Sequence, residues 1–305
     1  MFKNYEELRA AAKGRGPVRV AVAAAQDREV MEAVQAGIRT GLIEATLVGD
    51  QSIIGPWAEE LGIAGQVRIV HETDLARASL LAVGMVHDGE AQVLMKGLVN
   101  SALFLKAALD PERGLRTGRL LCHLAALETP GRKKLEFLTD GGMNIAPGLA
   151  EKRQILASAV EALARMGIAT PKVAVLCANE QVSPKMPATV DAQGLVQLWQ
   201  EGAFPDCVVE GPIAMDVAVS PEAARHKGIT SQVSGDVDLF LVPNIEAGNM
   251  MAKAMVHYAG TKFAGVVLGA SHPVVMVSRS DPAEAKLNAL AMAALLAREV
   301  AVPVV

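Results

Sequence analysis

The sequence predicts an α/β protein with mostly parallel sheets, and three observations predict it. Short apolar runs alternate with amphipathic segments of helical period almost throughout. The apolar mass is Ala, Val, Leu, Ile and Met with only 3% aromatic residues, as parallel strands covered on both faces require. Short polar motifs follow the ends of the strand-like runs, where open α/β sheets bind their ligands. At 305 residues the chain is long enough for two domains of ordinary size.

Strands are predicted near Val18–Ala23, Ala45–Val48, Val67–Val70, Ala91–Met95, Leu120–Ala126 and Leu135–Thr139. A second series lies near Lys172–Cys177, Asp206–Glu210, Val237–Val242, Gly265–Gly269 and Val274–Ser278. Helices fill most gaps: Asp27–Thr40, Thr73–His87, Ser101–Leu109, Gly148–Met166, Thr189–Glu201, Glu246–Tyr258 and Pro282–Glu299. The stretch Thr129 to Lys134 forms the clearest polar break and suggests a boundary just after it. Its basic residues Arg132, Lys133 and Lys134 read as a solvated turn. No internal repeat is present.

Hydrophobic residues make up 51% and charged residues 20%, so the chain can bury large cores and is not disordered. A net charge of −4 argues against a nucleic-acid surface. Cys122, Cys177 and Cys207 are too few and scattered for a disulfide framework or a zinc site; Cys122 and Cys177 sit in apolar runs and read as packing residues. The segment Met1–Gly16 is charged and amphipathic, unlike a signal peptide. The uncharged run Leu287–Ala297 falls well short of the ~20 residues a membrane span needs. A soluble, cytoplasmic protein with no membrane or nucleic-acid partner is expected.

The most informative stretch is Ser278-Arg279-Ser280-Asp281-Pro282. It follows the apolar run Val274–Val277 and precedes a helical pattern carrying Leu287, Leu290, Ala294 and Leu295. Asp281 suits the helix N-cap, Pro282 the first helical position and Glu284 the third position of a capping box. A hydroxyl and a guanidinium therefore stand where backbone N–H groups favour an anion, and a phosphate site with a serine beside it is expected.

Other polar motifs repeat this placement: Lys96-Gly97, Asp140 to Asn144, Gly211-Pro212 with Asp216 one turn on, and Asn244, Glu246, Gly248 and Asn249. Each alone could be a turn or a cap; together they imply a shared cleft. There is no dinucleotide fingerprint, P-loop, H-E-x-x-H, C-x-x-C or nucleophile elbow.

Several blocks are similar to those of the phosphotransacylases. Val209-Glu210-Gly211-Pro212-Ile213-Ala214-Met215-Asp216 resembles their "DGPL…D" block. Gly235-Asp236-Val237-Asp238 through Asn249 and Lys253 resembles "GD…P-D-x-x-x-G-N…K", and Pro273 through Ser278-Arg279 resembles the C-terminal "P…SR". Met95–Asn100, Arg116–Leu121, Asp140–Pro147 and Pro184–Thr189 point to the phosphate butyryltransferase branch. The resemblance implies reversible transfer of a short-chain acyl group, butyryl or similar, between coenzyme A and inorganic phosphate. Coenzyme A, acyl-CoA and phosphate would be substrates, with no permanently bound cofactor and no metal. It also implies a two-domain fold like the isocitrate and isopropylmalate dehydrogenases, with an interdomain cleft and a homodimer. Residues 1–136 with 280–305 would form one domain and 137–279 the other.

Ser278 and Arg279 are the expected catalytic residues, Arg279 holding phosphate. Lys96, Arg116, Arg119, Asn144, Gly211, Pro212, Asp216, Asn249 and Lys253 are the expected substrate-binding residues. Arg116 and Arg119 suit CoA phosphates, inorganic phosphate or plain surface positions. Two departures matter. Val256 and His257 stand where the acetyl branch carries Gln-Arg, which favours butyryl. Ala285 stands where that branch has an aspartate proposed as base. A phosphate acetyltransferase, a metal-dependent decarboxylating dehydrogenase and a non-catalytic acyl-CoA-binding protein are the alternatives.

Overall fold

The computed structural model describes residues 1–278 and 281–297. They divide into two compact units. One unit, called central for its place in the sequence, comprises Met1–Asn4 and Leu120–Phe263. The other, called flanking because its segments lie on either side of Leu120–Phe263 in sequence, comprises Tyr5–Arg119 with the described part of Ala264–Val305.

The flanking unit begins with α1 (Tyr5–Lys13), β1 (Val18–Ala23), α2 (Arg28–Arg39), β2 (Ile43–Gly49), α3 (Gln51–Glu60), β3 (Val67–His71), α4 (Leu75–His87), β4 (Val93–Lys96) and α5 (Ser101–Ala108). The central unit contains β5 (Cys122–Glu128), β6 (Glu136–Thr139), α6 (Leu149–Arg165), β7 (Lys172–Leu176), α7 (Pro187–Gln200), β8 (Val208–Ile213), α8 (Met215–Val219), α9 (Pro221–His226), β9 (Leu239–Leu241) and α10 (Ile245–Ala259). The chain then returns to the flanking unit through β10 (Lys262–Leu268), β11 (Val274–Val275) and α11 (Ala283–Leu296).

In the flanking unit the strand order is β3-β2-β1-β4-β11-β10, parallel except for the β10–β11 pair. In the central unit it is β5-β6-β9-β7-β8, parallel except for β5–β6. Helices start promptly after strands because the connecting loops end in capping side chains. Asp27, Asp50, Asp74, Asn100 and Asn244 each accept a backbone N–H from the helix that follows, a contact whose loss costs about 1 kcal/mol. Among the described residues no helix is long and apolar enough to cross a membrane.

Helix α11 is apolar almost all round. Ala289 through Ala293 are each 0% exposed, and the helix packs on α1, α2 and β11. Such a helix belongs in the middle of a layer.

The division between units differs from the one the sequence suggests. It falls after Arg119 and Phe263 rather than after residues 136 and 279. The polar break Thr129–Lys134 is the turn of an antiparallel hairpin, since β5 and β6 pair through Ala125↔Leu138 and Leu127↔Glu136. Nor is that turn simply solvated. Arg132 pairs with the buried Glu136, and Lys134 with Asp236 and Asp238. Helices α1, α3, α8 and α9 lie outside the predicted set. Gly55-Pro56 disguises α3, and α8 and α9 span only 5 and 6 residues, too short to show a period. All three cysteines are buried thiols outside any disulfide. Burial pushes the Cys177 and Cys207 thiols up to about 11, so neither is an available thiolate at neutral pH.

Asp236 joins Lys134 and Lys172, each at 2.6 Å. The hydrogen bond from Lys134, then that from Lys172, lowers its carboxyl to about 2. A depressed acid stabilises the fold above its unfolded pKa of about 3.9 and loses that contribution as pH falls through the folded value. The side chain is 57% exposed, so solvent holds the effect to about 1 kcal/mol or less. Urea unfolding should therefore separate the wild type from Asp236→Asn above about pH 5, with the two converging toward pH 2. A gap that does not change with pH would contradict the assignment.

Candidate active site

In the flanking sheet β4 lies between β1 and β11, with Ala23↔Lys96 and Val275↔Met95 in register. The strand order reverses between β1 and β4, the position where doubly wound sheets open a crevice beyond their strand ends. Lys96 closes β4 there. It is 4% exposed, and its Nζ donates to the carbonyls of Val99 at 3.1 Å and Gly97 at 3.4 Å. The following loop is tied to the end of β1, because the N–H groups of Gly97 and Leu98 donate to Ala23 O and Ala24 O.

Ser278 follows β11 on this same edge and is exposed. The register thus brings Lys96 and Ser278, 182 positions apart in sequence (278 − 96), to the exits of neighbouring parallel strands. Arg279 lies outside the described residues. Asp281 corrects the sequence reading. The N-cap of α11 is Pro282, with no side-chain cap, and Asp281 turns backward. Its Oδ2 accepts the Ser278 N–H at 2.9 Å, while its own N–H donates to Ser278 O at 3.2 Å. Glu284 does not complete a capping box either; its carboxylate lies 3.9 Å from Arg9.

Arg116 and Arg119 stand on an exposed loop after α5. The loop is pinned to the β10–β11 turn by Thr117 Oγ1 donating to Gly269 O and by Ser271 N–H donating to Leu115 O. Both guanidinium-bearing residues are therefore displayed from a fixed backbone.

In the central unit the exits of β6 and β9 adjoin, with Thr139↔Leu241 in register. Asp140, 2% exposed, organises the loop after β6. Its carboxylate accepts the N–H groups of Gly142 and Met143 at 3.0 Å and of Asn144 at 3.2 Å, together with Asn144 Nδ2 at 2.6 Å. Asn144 Nδ2 also donates to Leu121 O at 2.9 Å. Both amide hydrogens of Asn144 are thus engaged internally, and Oδ1 is the group left to face a ligand.

This loop packs directly on α10. A Cβ on Gly248 would stand 2.7 Å from Gly141 Cα and 2.6 Å from Val242 Cγ2, so only glycine permits the approach. Asn249 and Lys253, four residues apart on α10, lie on one exposed face.

Gly211 and Pro212 lie inside β8 rather than beyond it. The register shifts there: Ala174↔Glu210 is followed by Leu176↔Ile213. A bulge on the edge strand accommodates a proline that cannot donate, and Gly211 is required because a Cβ would meet Val175 Cβ at 2.7 Å. Asp216, in the first turn of α8, pairs with Lys227 at 3.1 Å. The hydrogen bond from that ammonium holds its carboxyl below the usual range. Asp140, Asp216 and Asp236 each have separate partners, and among the described residues no group of His, Cys, Asp or Glu is set to hold a metal ion.

The expected residues thus fall into two sets. Lys96, Arg116, Arg119 and Ser278 belong to the flanking unit, and Asn144, Gly211, Pro212, Asp216, Asn249 and Lys253 to the central one. Sequence reasoning missed the organising role of Asp140 and the backward contact of Asp281. The available signal for Asp140 was an acid directly followed by two glycines, the pattern of an Asx turn.

The family model for phosphate acetyl/butaryl transferase matches residues 65–294. The chain belongs to the phosphate acetyl/butyryl transferase family. It is 44% identical to a phosphate butyryltransferase of Clostridium acetobutylicum, covering 97% of this chain and 99% of that one. A branched-chain phosphotransacylase from Enterococcus faecalis V583 superposes with a TM-score of 0.82 at 31% identity, covering 92% of this chain and 100% of that one. The likeness to 4-hydroxythreonine-4-phosphate dehydrogenase from Klebsiella pneumoniae is one of fold alone. Its TM-score is 0.53 at 12% identity, over 92% of this chain and 99% of that one. The family match includes Lys96, Asn144, Asn249 and Ser278.

Because Gly248 and Gly141 touch, Gly248→Ala should destabilise this family member by about 1–3 kcal/mol through overpacking. Thermal unfolding measures it, and an unchanged midpoint would mean that the Asp140 loop yields without cost.

Proposed function

We propose that this chain catalyses reversible transfer of a short-chain acyl group, butyryl or similar, between coenzyme A and inorganic phosphate. The observation that carries the proposal is near-full-length similarity to a phosphate butyryltransferase. The placement of Lys96 and Ser278 on one sheet edge supports it. A phosphate oxygen attacks the thioester carbonyl carbon, and the tetrahedral intermediate collapses with cleavage of the C–S bond. The coenzyme A thiolate leaves and takes up a proton, giving acyl phosphate and free coenzyme A. No acyl group passes through the protein.

In this reading Arg279 clamps the phosphate in a bidentate pair. The exposed Ser278 hydroxyl donates a hydrogen bond where negative charge collects, on the carbonyl oxygen or the departing sulfur. Lys96, anchored on the Val99 carbonyl, holds the β4 exit loop and adds positive charge at that edge. Arg116 and Arg119 bind phosphate groups of coenzyme A. Asn144, Asn249 and Lys253 offer polar contacts to substrate, while Gly211 and Pro212 shape the strand that leads to Asp216. The enzyme works as a homodimer in the cytoplasm. Val256 and His257 on α10 favour butyryl over acetyl.

Phosphate-dependent thiol release from acetyl-, propionyl-, butyryl-, isobutyryl- and octanoyl-CoA tests the proposal. Butyryl-type substrates should be preferred, and a clear acetyl preference would move the chain to the acetyl branch. Arg279→Ala should lower turnover by about two orders of magnitude from lost charge stabilisation, and Ser278→Ala by less. Near-normal turnover in folded Arg279→Ala would remove that residue from the mechanism. A covalent acyl adduct trapped on Ser278 would overturn direct transfer.

A further inference from the structure

Lys286 is 1% exposed. It lies in the first turn of α11, a helix buried on nearly every side. Helical side chains lean toward the N-terminus, and this one runs back along its own helix until Nζ donates to the main-chain carbonyl of Asp281. The ammonium is thus hydrogen-bonded to the main chain just ahead of its own helix. Burying a cation is unfavourable unless it is hydrogen-bonded or paired. Methionine or leucine would fill the same space without that requirement, so packing alone does not account for a lysine.

The partner explains the choice. Asp281 is the residue that closes the turn onto Ser278, through its carboxylate to the Ser278 N–H and its own N–H to Ser278 O. A chain of contacts therefore runs from the buried ammonium to the Asp281 carbonyl and from Asp281 to the Ser278 backbone. All of it lies in the flanking unit, on the edge where Lys96 ends β4.

We propose that Lys286 is a positioning residue for acyl transfer, holding Asp281 from inside and, through it, the Ser278 backbone, so that Ser278 meets the substrates in one geometry. Its buried charge, one contact removed from Ser278, also favours an anion there. The inference rests on the reading of Ser278 as an active-site residue. Displacement of a reacting group by about 1 Å can lower turnover on the order of a hundredfold, so a brace of this kind has a measurable effect.

The test compares Lys286→Met, which keeps the stem and removes the ammonium, with Ser278→Ala and Asp281→Ala in phosphate-dependent thiol release from butyryl-CoA. Lys286→Met should fold. Its kcat should fall by about ten- to a hundredfold and its KM for phosphate should rise, while KM for butyryl-CoA stays within about twofold of wild type. In the Lys286→Met/Asp281→Ala double variant the losses should not add, because both changes release one turn. Wild-type kcat and phosphate KM in folded Lys286→Met, or strictly additive losses in the double variant, would overturn the proposal. If Lys286→Met does not fold, Asp281→Ala decides alone: unchanged kcat and phosphate KM there overturn it, and the selective loss supports it. Wild-type kinetics in Ser278→Ala would instead remove the active-site reading on which the proposal stands.

Discussion

The direction of the strands is the constraint on which the candidate site depends. A parallel strand must be re-entered from the same end each time, so every crossover helix carries the chain back and every strand exits at one edge. Loops distant in sequence then share that edge without needing any contact of their own. The single reversal in the flanking sheet matters for this reason. β10 runs antiparallel to β11 through Val267↔Val274, and β11 is thereby turned to run with β4. Had Ser278 followed β10 instead, it would stand at the opposite edge from Lys96.

Within these exits the polar groups divide into frame and display. Asp140 accepts three N–H groups and an amide, Lys96 is bonded to carbonyls, and Asp216 is paired with Lys227. Ser278, Asn249, Lys253 and Arg116 stand exposed on the backbone so fixed. A reacting group held to within a fraction of an ångström needs this second layer of bonds. Buried polar residues next to strand exits are therefore expected even where they touch no substrate.

The alternation of strands and helices was legible because each element carries its own period. So was the placement of the polar motifs, which follows from strand order and needs no long-range information. Features decided by competition between local and distant partners were not legible. Asp281 satisfies every sequence criterion for an N-cap, yet its carboxylate accepts the N–H of Ser278, three residues before it. Gly211-Pro212 reads as a turn after a strand, whereas the edge position of β8 allows the strand to continue through it as a bulge. Thr129–Lys134 has the composition of a boundary, whereas it is the turn of the β5–β6 hairpin, with Lys134 bonded to Asp236 and Asp238 about a hundred residues away. For the strand and the hairpin the deciding partner lies outside the window in which the pattern is read; for Asp281 it lies inside the window, on the side away from the helix.

Helix α11 shows what an all-apolar pattern implies once it is buried. Ala289 through Ala293 are fully enclosed and Glu284 alone of the polar side chains reaches solvent, so the buried polar residues Lys286 and Asn288 must find partners inside the protein. Asn288 does so by accepting from Arg9 Nη1 at 2.6 Å, which ties α11 to α1. Lys286 does so at the Asp281 carbonyl, which ties α11 to the turn ahead of it. Polar positions on such a helix are consequently constrained by their partners rather than by propensity. A buried lysine in the first turn of such a helix thus marks the segment just before the helix as held from within.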